Sequence, residues 1–136
     1  MLSRYALFDP WAFAPGAIAV VNASAGGAWA LPASAAPQYR AAAPITPSGW
    51  ALLGELDKIV VGGSAQRWAA VTDATPAGGA LRLALLGAAG EAVTMTLARV
   101  ADGRVQTPLL VVECEVPAAG AFAIECDDGA CACAGA

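Results

Sequence analysis

The sequence contains no histidine, and Lys58 is its single lysine. This chain therefore cannot use an imidazole as general base, proton shuttle or metal ligand. A serine nucleophile would have only Lys58 as its base, and no serine lies in a Gly-x-Ser-x-Gly sequence. We therefore expect a protein that is not an enzyme, with no catalytic residues and no cofactor.

Positive charge is scarce as well. Seven Lys and Arg residues stand against eleven Asp and Glu residues, which gives a net charge of −4. The basic residues are scattered along the chain, so they form no cluster that could neutralise a phosphate backbone. The glycine pairs at 62–63 and 78–79 are not followed by Lys-Ser or Lys-Thr, as they would be in a phosphate-binding loop. We expect no nucleic-acid partner.

Long hydrophobic runs are also missing, although 58% of the residues are apolar. Thirty-six of those apolar residues are alanines. A membrane-spanning helix needs roughly 20 nearly uninterrupted apolar residues. Asn22 and Pro32 interrupt the first candidate stretch, and Arg82 and Glu91 interrupt the second. The sequence therefore predicts a soluble protein without a membrane partner.

The first third of the chain is rich in proline and aromatic residues. Residues 1–48 hold six of the nine prolines and only three charged residues. Proline excludes a long helix, and so many aromatic side chains are not typical of a disordered linker. We therefore predict an extended Pro/Ala-rich N-terminal arm that is ordered by packing on a partner. The candidate interface residues in and beside it are Phe8, Trp11, Phe13, Trp29, Tyr39, Arg40 and Trp50.

The rest of the chain has the pattern of antiparallel strands. Short runs alternate between apolar and polar residues and are bounded by glycine, proline or aspartate. Strands are predicted at 52–61, 67–72, 80–86, 92–100, 105–116 and 121–126, with a further one at 17–21. The expected fold is all-β: a small antiparallel β-sandwich or barrel-like meander at 49–128, after the arm at 1–48 and before a Cys-containing tail at 129–136.

The best-defined hairpin is predicted around Asp102-Gly103, because this dipeptide suits a two-residue type I′ turn. The register that follows places Leu97 opposite Pro108, Met95 opposite Leu110 and Val93 opposite Val112. Pro108 cannot donate to a strand ladder, so the strand should be an edge or a bulge there. One face of this hairpin is apolar. The other face should meet solvent or a partner, and it carries Thr94, Thr96, Thr107, Glu113 and Glu115.

All four cysteines lie in the last 23 residues, at Cys114, Cys126, Cys131 and Cys133. Their spacing differs from the Cys-x2–4-Cys knuckles of structural zinc sites, so we expect no metal. Alternation points Cys114 and Cys126 toward the core, as free thiols or as disulfide partners. A last hairpin centred on Gly120 would place these two directly opposite, whereas centring it on Ala119 would leave them diagonal. Bridges to Cys131 or Cys133, within or between chains, also stay open, and so does the redox compartment.

An apolar aromatic arm on a small all-β body, without residues for catalysis, suggests a subunit that is built into an assembly. In this layout the chain resembles virion structural proteins of tailed bacteriophages and gene transfer agents, particularly capsid decoration (cement) or head-spike proteins. The resemblance implies a homo-oligomer on the capsid surface of a virion. Its partners would be other virion proteins such as the major capsid protein, and the arm would hold neighbouring capsid subunits together.

Two other interpretations stay open. Exposed Trp and Tyr side chains also suit a small secreted or tail-associated β-sandwich module that binds a carbohydrate or a receptor. A tail or head-completion subunit would use the same features in a ring. Glu113 and Glu115 do not favour a glycosidase, because a chain of this length offers little material for a cleft between two carboxylates.

Overall fold

The computed structural model describes residues 4–9, 17–22, 41–56, 67–73, 80–127 and 129–135. The expected all-β class is confirmed, because these ranges contain strands and no α-helix. The strands are β1 (Arg4–Phe8), β2 (Ala19–Asn22), β3 (Ala41–Pro44), β4 (Trp50–Gly54), β5 (Trp68–Asp73), β6 (Leu81–Leu86), β7 (Ala92–Ala101), β8 (Arg104–Val105), β9 (Leu110–Glu115), β10 (Ala121–Asp127) and β11 (Ala130–Gly135).

The strands form three antiparallel sheets. The N-terminal sheet has the order β2-β1-β3, and the C-terminal sheet has the order β11-β10-β6-β5. In the central sheet β4 and β9 lie on either side of β7, and β8 pairs with the last residues of β7. None of the three described sheets closes into a barrel. The central and C-terminal sheets instead share one hydrophobic core.

The central sheet lies between two hydrophobic cores. The main core joins it to the C-terminal sheet, with Trp50, Met95 and Leu97 of the central sheet packed near Leu83 and Ile124. The second core joins its other face to the N-terminal sheet. All five residues of β4 are buried because both faces of this strand are covered. A continuous apolar run, here Trp-Ala-Leu-Leu, is the pattern of a strand that is buried on two sides.

The described part of the N-terminal segment packs on the body of its own chain. Ala6, Phe8 and Ala43 are buried against Ala51 and Ala98 of the central sheet. Small side chains on both sides allow the two sheets to approach closely. The extended backbone expected from proline is present in strands β1 to β3, which form a third layer on the body. The ranges 10–16 and 23–40 of the predicted arm lie outside the described residues.

The turn at Asp102-Gly103 is confirmed, since both residues have the positive φ that a type I′ turn requires, 53° and 71°. Ala101 faces Arg104 as predicted. The ladder then stops at 106–109, which fits the bulge or edge expected at Pro108. It resumes two residues later than predicted, with Leu97 opposite Leu110, Met95 opposite Val112 and Val93 opposite Cys114. A shift of two residues keeps every side chain on its predicted face.

Two expectations about the outer strands were wrong. Thr96 was expected on an open face but is buried, because that face of β7 also carries Ala98 and Val100 and packs against the N-terminal sheet. The turn at 117–120 does not close a hairpin. The chain instead crosses there from the central to the C-terminal sheet, where β10 pairs with β6 and β11. Most of the segment predicted as a tail forms β11.

Candidate functional site

Two of the predicted interface residues are buried in the structure. Phe8 is buried in the second core, and Trp50 is fully buried in the main core with the Arg99 guanidinium 4.6 Å from its ring centroid. Both are therefore corrected to core residues, because the surface that covers them belongs to the same chain. The remaining predicted interface residues, Trp11, Phe13, Trp29, Tyr39 and Arg40, lie outside the described residues.

A cluster of three charged side chains stands where β4 ends and β5 and β7 begin. The Arg67 guanidinium donates from Nε to Oε2 of Glu55 at 2.8 Å, and from Nη1 and Nη2 to the two carboxylate oxygens of Glu91 at 3.0 and 2.6 Å. Nη1 also donates to the Leu86 carbonyl at 3.0 Å. The Glu55 side chain is only 3% exposed, so its ion pair with Arg67 is a buried one on the glutamate side.

In the charge cluster, Arg67 is hydrogen-bonded to both carboxylates and to the backbone. The hydrogen bond to Glu91 raises the pKa of Arg67 well above its ordinary range, burial lowers it in part, and the bond to Glu55 raises it again. Arg67 therefore stays charged and offers no proton for catalysis. Gly87 leaves room for the guanidinium, because a Cβ at this position would lie 2.7 Å from Nη1 and from a Val116 methyl group. No signal in the sequence pointed to this cluster, since its members are 12 and 24 residues apart.

A shallow pocket of about 280 Å³ opens at one end of the C-terminal sheet. Its lining residues are Thr72, Ala80, Leu81, Arg82, Glu125, Cys126 and Asp127. Arg82 and Glu125 form an ion pair directly across β6 and β10, and Arg82 also donates to the Gly135 carbonyl at 3.0 Å. Ligand pockets usually have roughly 300–1,000 Å³ and enclose most of their ligand. This open depression, whose arginine is already paired, does not favour a small-molecule site.

The side of the C-terminal sheet that faces away from the main core carries several small, uncharged side chains. One row across its four strands is formed by Ala70, Ala84, Ala123 and Ala134, which lie in register. Ala70 is exposed, Ala84 and Ala134 are half-buried, and Ala123 is fully buried. We call this row the alanine face. Leu86, next to it on β6, is 50% exposed. The Arg82–Glu125 ion pair borders the row on one side.

Among the described strands, β5 is the outermost strand at this end of the alanine face. All residues from 69 to 72 are exposed, including Val71 at 45%. Among the other outer strands described, β4 is buried throughout, β2 contacts β8 and β3 contacts β4, whereas β9 and β11 have exposed residues and are joined by a disulfide. We call residues 69–72 the β5 edge. It carries no charge, so it lacks the lysines that commonly protect edge strands from pairing.

All four cysteines are in disulfide bonds, and both bonds end on β11. Cys114 of β9 is bonded to Cys133, and Cys126 of β10 is bonded to Cys131. Neither bond is the Cys114–Cys126 pair that a last hairpin would have formed. The sequence did not indicate these pairings because β11, a strand of alanine, cysteine and glycine, was expected to be a tail.

Comparison with protein-family models, with curated proteins and with solved structures finds no match to this chain. Within the described ranges, no group of three or more His, Cys, Asp or Glu side chains is placed to hold a metal ion. The same part of the chain contains no helix that is long and apolar enough to cross a membrane. The alanine face and the β5 edge are therefore the surface that carries the functional argument.

Proposed function

We propose that this protein is a non-enzymatic structural subunit of a virus-like particle, which binds the capsid surface as a decoration or cement protein. The observation that carries the proposal is the β5 edge beside the alanine face. An exposed, uncharged sheet edge accepts an extended strand from another chain through main-chain hydrogen bonds. Beside it, the exposed Ala70 and the half-exposed Leu86 offer apolar area to a partner, and such area contributes roughly 25 cal/mol per Å² removed from water.

The partner would be a major capsid protein subunit or a neighbouring copy of this chain, in a homo-oligomer on the capsid. A stable interface buries roughly 1,200–2,000 Å² in total, so the β5 edge would have to be joined by neighbouring surface. The accessible part of the alanine face, at Ala70 and Ala84, and Leu86 beside it lie next to the β5 edge and would form part of that surface. The N-terminal sheet has its described strands packed on the same body, so the proposal assigns the contact to the C-terminal sheet rather than to an extended arm.

The construction of the body also supports a subunit with a mechanical role. The central and C-terminal sheets are tied by the Cys114–Cys133 disulfide and by the Glu55–Arg67–Glu91 cluster, and Cys126–Cys131 ties β10 to β11 within the C-terminal sheet. A body that is already rigid loses little further conformational freedom when it binds, and this raises affinity for a given contact area. Disulfides persist in oxidising surroundings such as the outside of a released particle.

Co-sedimentation with capsid shells tests this proposal. Purified protein of mass known from light scattering is mixed with undecorated shells of the tailed-bacteriophage type, and the shells are pelleted. Stoichiometric recovery in the pellet, saturating at a fixed ratio to capsid subunits, is the expected result. Protein that remains in the supernatant as a monomer with every shell tested would overturn the proposal.

The disulfides favour a second candidate, a small secreted or tail-associated binding module for a carbohydrate or a receptor, because small secreted domains are commonly stabilised in this way. Such a module would bind its ligand as a monomer. Titration of the tryptophan fluorescence with a panel of oligosaccharides separates the two candidates. Saturable quenching by a glycan, together with indifference to capsid shells, would replace the first proposal by the second.

A further inference from the structure

Few non-covalent interactions hold the C-terminal strand β11 on the rest of the protein. Its six residues are alanine, cysteine and glycine, so no side chain other than cysteine can bury substantial apolar area. Six residue pairs connect it to β10. Backbone hydrogen bonds contribute only about 0.5–1.5 kcal/mol each, and those of an exposed terminal strand compete with water. The two disulfides are therefore the strongest attachment of this strand to the body.

The two disulfides differ in what they join and in how accessible they are. Cys126 is 2% exposed, and it is bonded within the sheet to Cys131, which lies directly opposite it. The second bond joins two different sheets, because Cys114 belongs to β9. Each bond has one buried partner, since Cys114 is 6% exposed, but Cys133 is exposed whereas Cys131 is half-buried. The Cys133 Sγ lies 2.9 Å from the Glu113 carbonyl oxygen. Thiol–disulfide exchange requires access to a sulfur atom, so an external thiol reaches the Cys114–Cys133 bond first.

Strand β11 also covers one side of β10, a strand that contributes to the main core. It pairs with the outer side of β10, whose Phe122 and Ile124 belong to the main core, and it lies against β9. With β11 removed, β10 would become an edge strand with unpaired backbone groups. An exposed edge of this kind accepts a strand from another chain.

We infer that β11 is a redox-controlled latch that closes the edge of β10. A dithiol reductant opens it in two exchanges. In each exchange one protein disulfide is cleaved to two thiols, and the dithiol loses two hydrogens and becomes a disulfide. The first exchange breaks Cys114–Cys133 and separates β11 from the central sheet. The second breaks Cys126–Cys131 and frees the strand. This inference does not depend on the proposed capsid role.

The test uses the full-length oxidised protein and dithiothreitol. Samples taken along a reductant titration are alkylated with N-ethylmaleimide and digested, and each cysteine is located by mass spectrometry. Cys114 and Cys133 are expected to be alkylated at lower reductant concentration than Cys126 and Cys131. Alkylation of the Cys126–Cys131 pair first would overturn the order of opening.

Hydrogen exchange of the same samples tests the release itself. After full reduction, amides of β11 and of the β10 edge should exchange about 100-fold faster than the amides of β7, because the opening of β11 is local. Unchanged protection of β11 would show that hydrogen bonds alone hold it. Equal loss of protection in β7 would show that the disulfides hold the whole body. Either result would contradict a latch.

A matched pair of double variants isolates each bond. C126A/C131A leaves only the accessible bond, so its β11 should be released at the reductant concentration that opens Cys114–Cys133 in the unaltered protein. C114A/C133A leaves only the buried bond and should retain β11 to higher reductant concentration. The same release point for both variants would contradict a two-step latch, and the titration of the unaltered protein does not depend on how either variant folds.

Discussion

The sulfur atoms of Cys114 and Cys133 are bonded, and this bond joins an edge strand of the central sheet to an edge strand of the C-terminal sheet. Nineteen positions separate the two cysteines, whereas five separate Cys126 from Cys131. The two sheets of the main core are thus held together by a covalent bond at one side and by buried side chains elsewhere.

The longer of the two covalent loops should contribute more to stability. In the chain-entropy description, closing a loop of this length stabilises the folded state by about 3 kcal/mol, and the shorter loop by about 2 kcal/mol. C114A/C133A should therefore lower the free energy of unfolding more than C126A/C131A. Denaturant unfolding of both variants under oxidising conditions measures the difference. A larger loss for C126A/C131A would mean that native-state strain or packing outweighs loop entropy.

Removal of Arg67 should be among the most damaging single changes. Arg67→Met removes the cation that pairs with the buried Glu55 carboxylate, and removal of one partner of a buried ion pair destabilises a protein by about 3–5 kcal/mol. Glu91→Gln should be milder, because its side chain is 28% exposed and water can replace part of the interaction. Thermal unfolding of the two variants tests this. Equal losses would indicate that the cluster behaves as a surface ion pair.

The charge cluster should not make stability depend on pH near neutrality through Arg67. The folded-state pKa of Arg67 is raised, chiefly by its hydrogen bond to Glu91. The stability that this shift provides is fully present below the unfolded-state pKa of arginine and is lost only as the pH rises through the higher folded-state value. The difference in unfolding free energy between the protein and Arg67→Met should stay constant from pH 7 to 9. A steady decrease over that interval would contradict the assignment.

Gly87 should tolerate no side chain. A Cβ there would lie 2.7 Å from both Arg67 Nη1 and Val116 Cγ2, and Val116 is buried. Gly87→Ala should therefore lower the free energy of unfolding by about 1–3 kcal/mol through overpacking. Gly135→Ala is the control, because nothing lies within 4 Å of a Cβ at that position. Similar stability of both variants would show that the structure around Gly87 relaxes at little cost.

Local signals in the sequence predicted the parts of the fold that local chemistry determines. The Asp102-Gly103 turn and the alternating strands β6, β7 and β10 were found because their turn residues and apolar periods lie within each segment. The register beyond Pro108 was two residues off, since the length of the break at 106–109 depends on packing rather than on the turn.

The missed elements depend on distant partners. Strands β1 and β3 lie in the proline-rich segment, and their apolar residues were assigned to an interface because nothing local indicates which surface covers Phe8. Strand β11 was missed because alanine and cysteine carry little strand preference. Four cysteines allow three pairings, and only the placement of β11 selects one of them. The Arg67 cluster likewise forms from three separate segments.

The most direct test of the central claim compares two substitutions of exposed valines. Val71→Lys places a charge on the β5 edge, whereas Val111→Lys places the same charge on β9, where the valine is 59% exposed. Co-sedimentation of both variants with undecorated capsid shells measures binding. The account predicts that Val71→Lys loses binding by about tenfold or more while Val111→Lys binds like the unaltered protein. Equal binding by the two variants would contradict the assignment of the contact to the β5 edge.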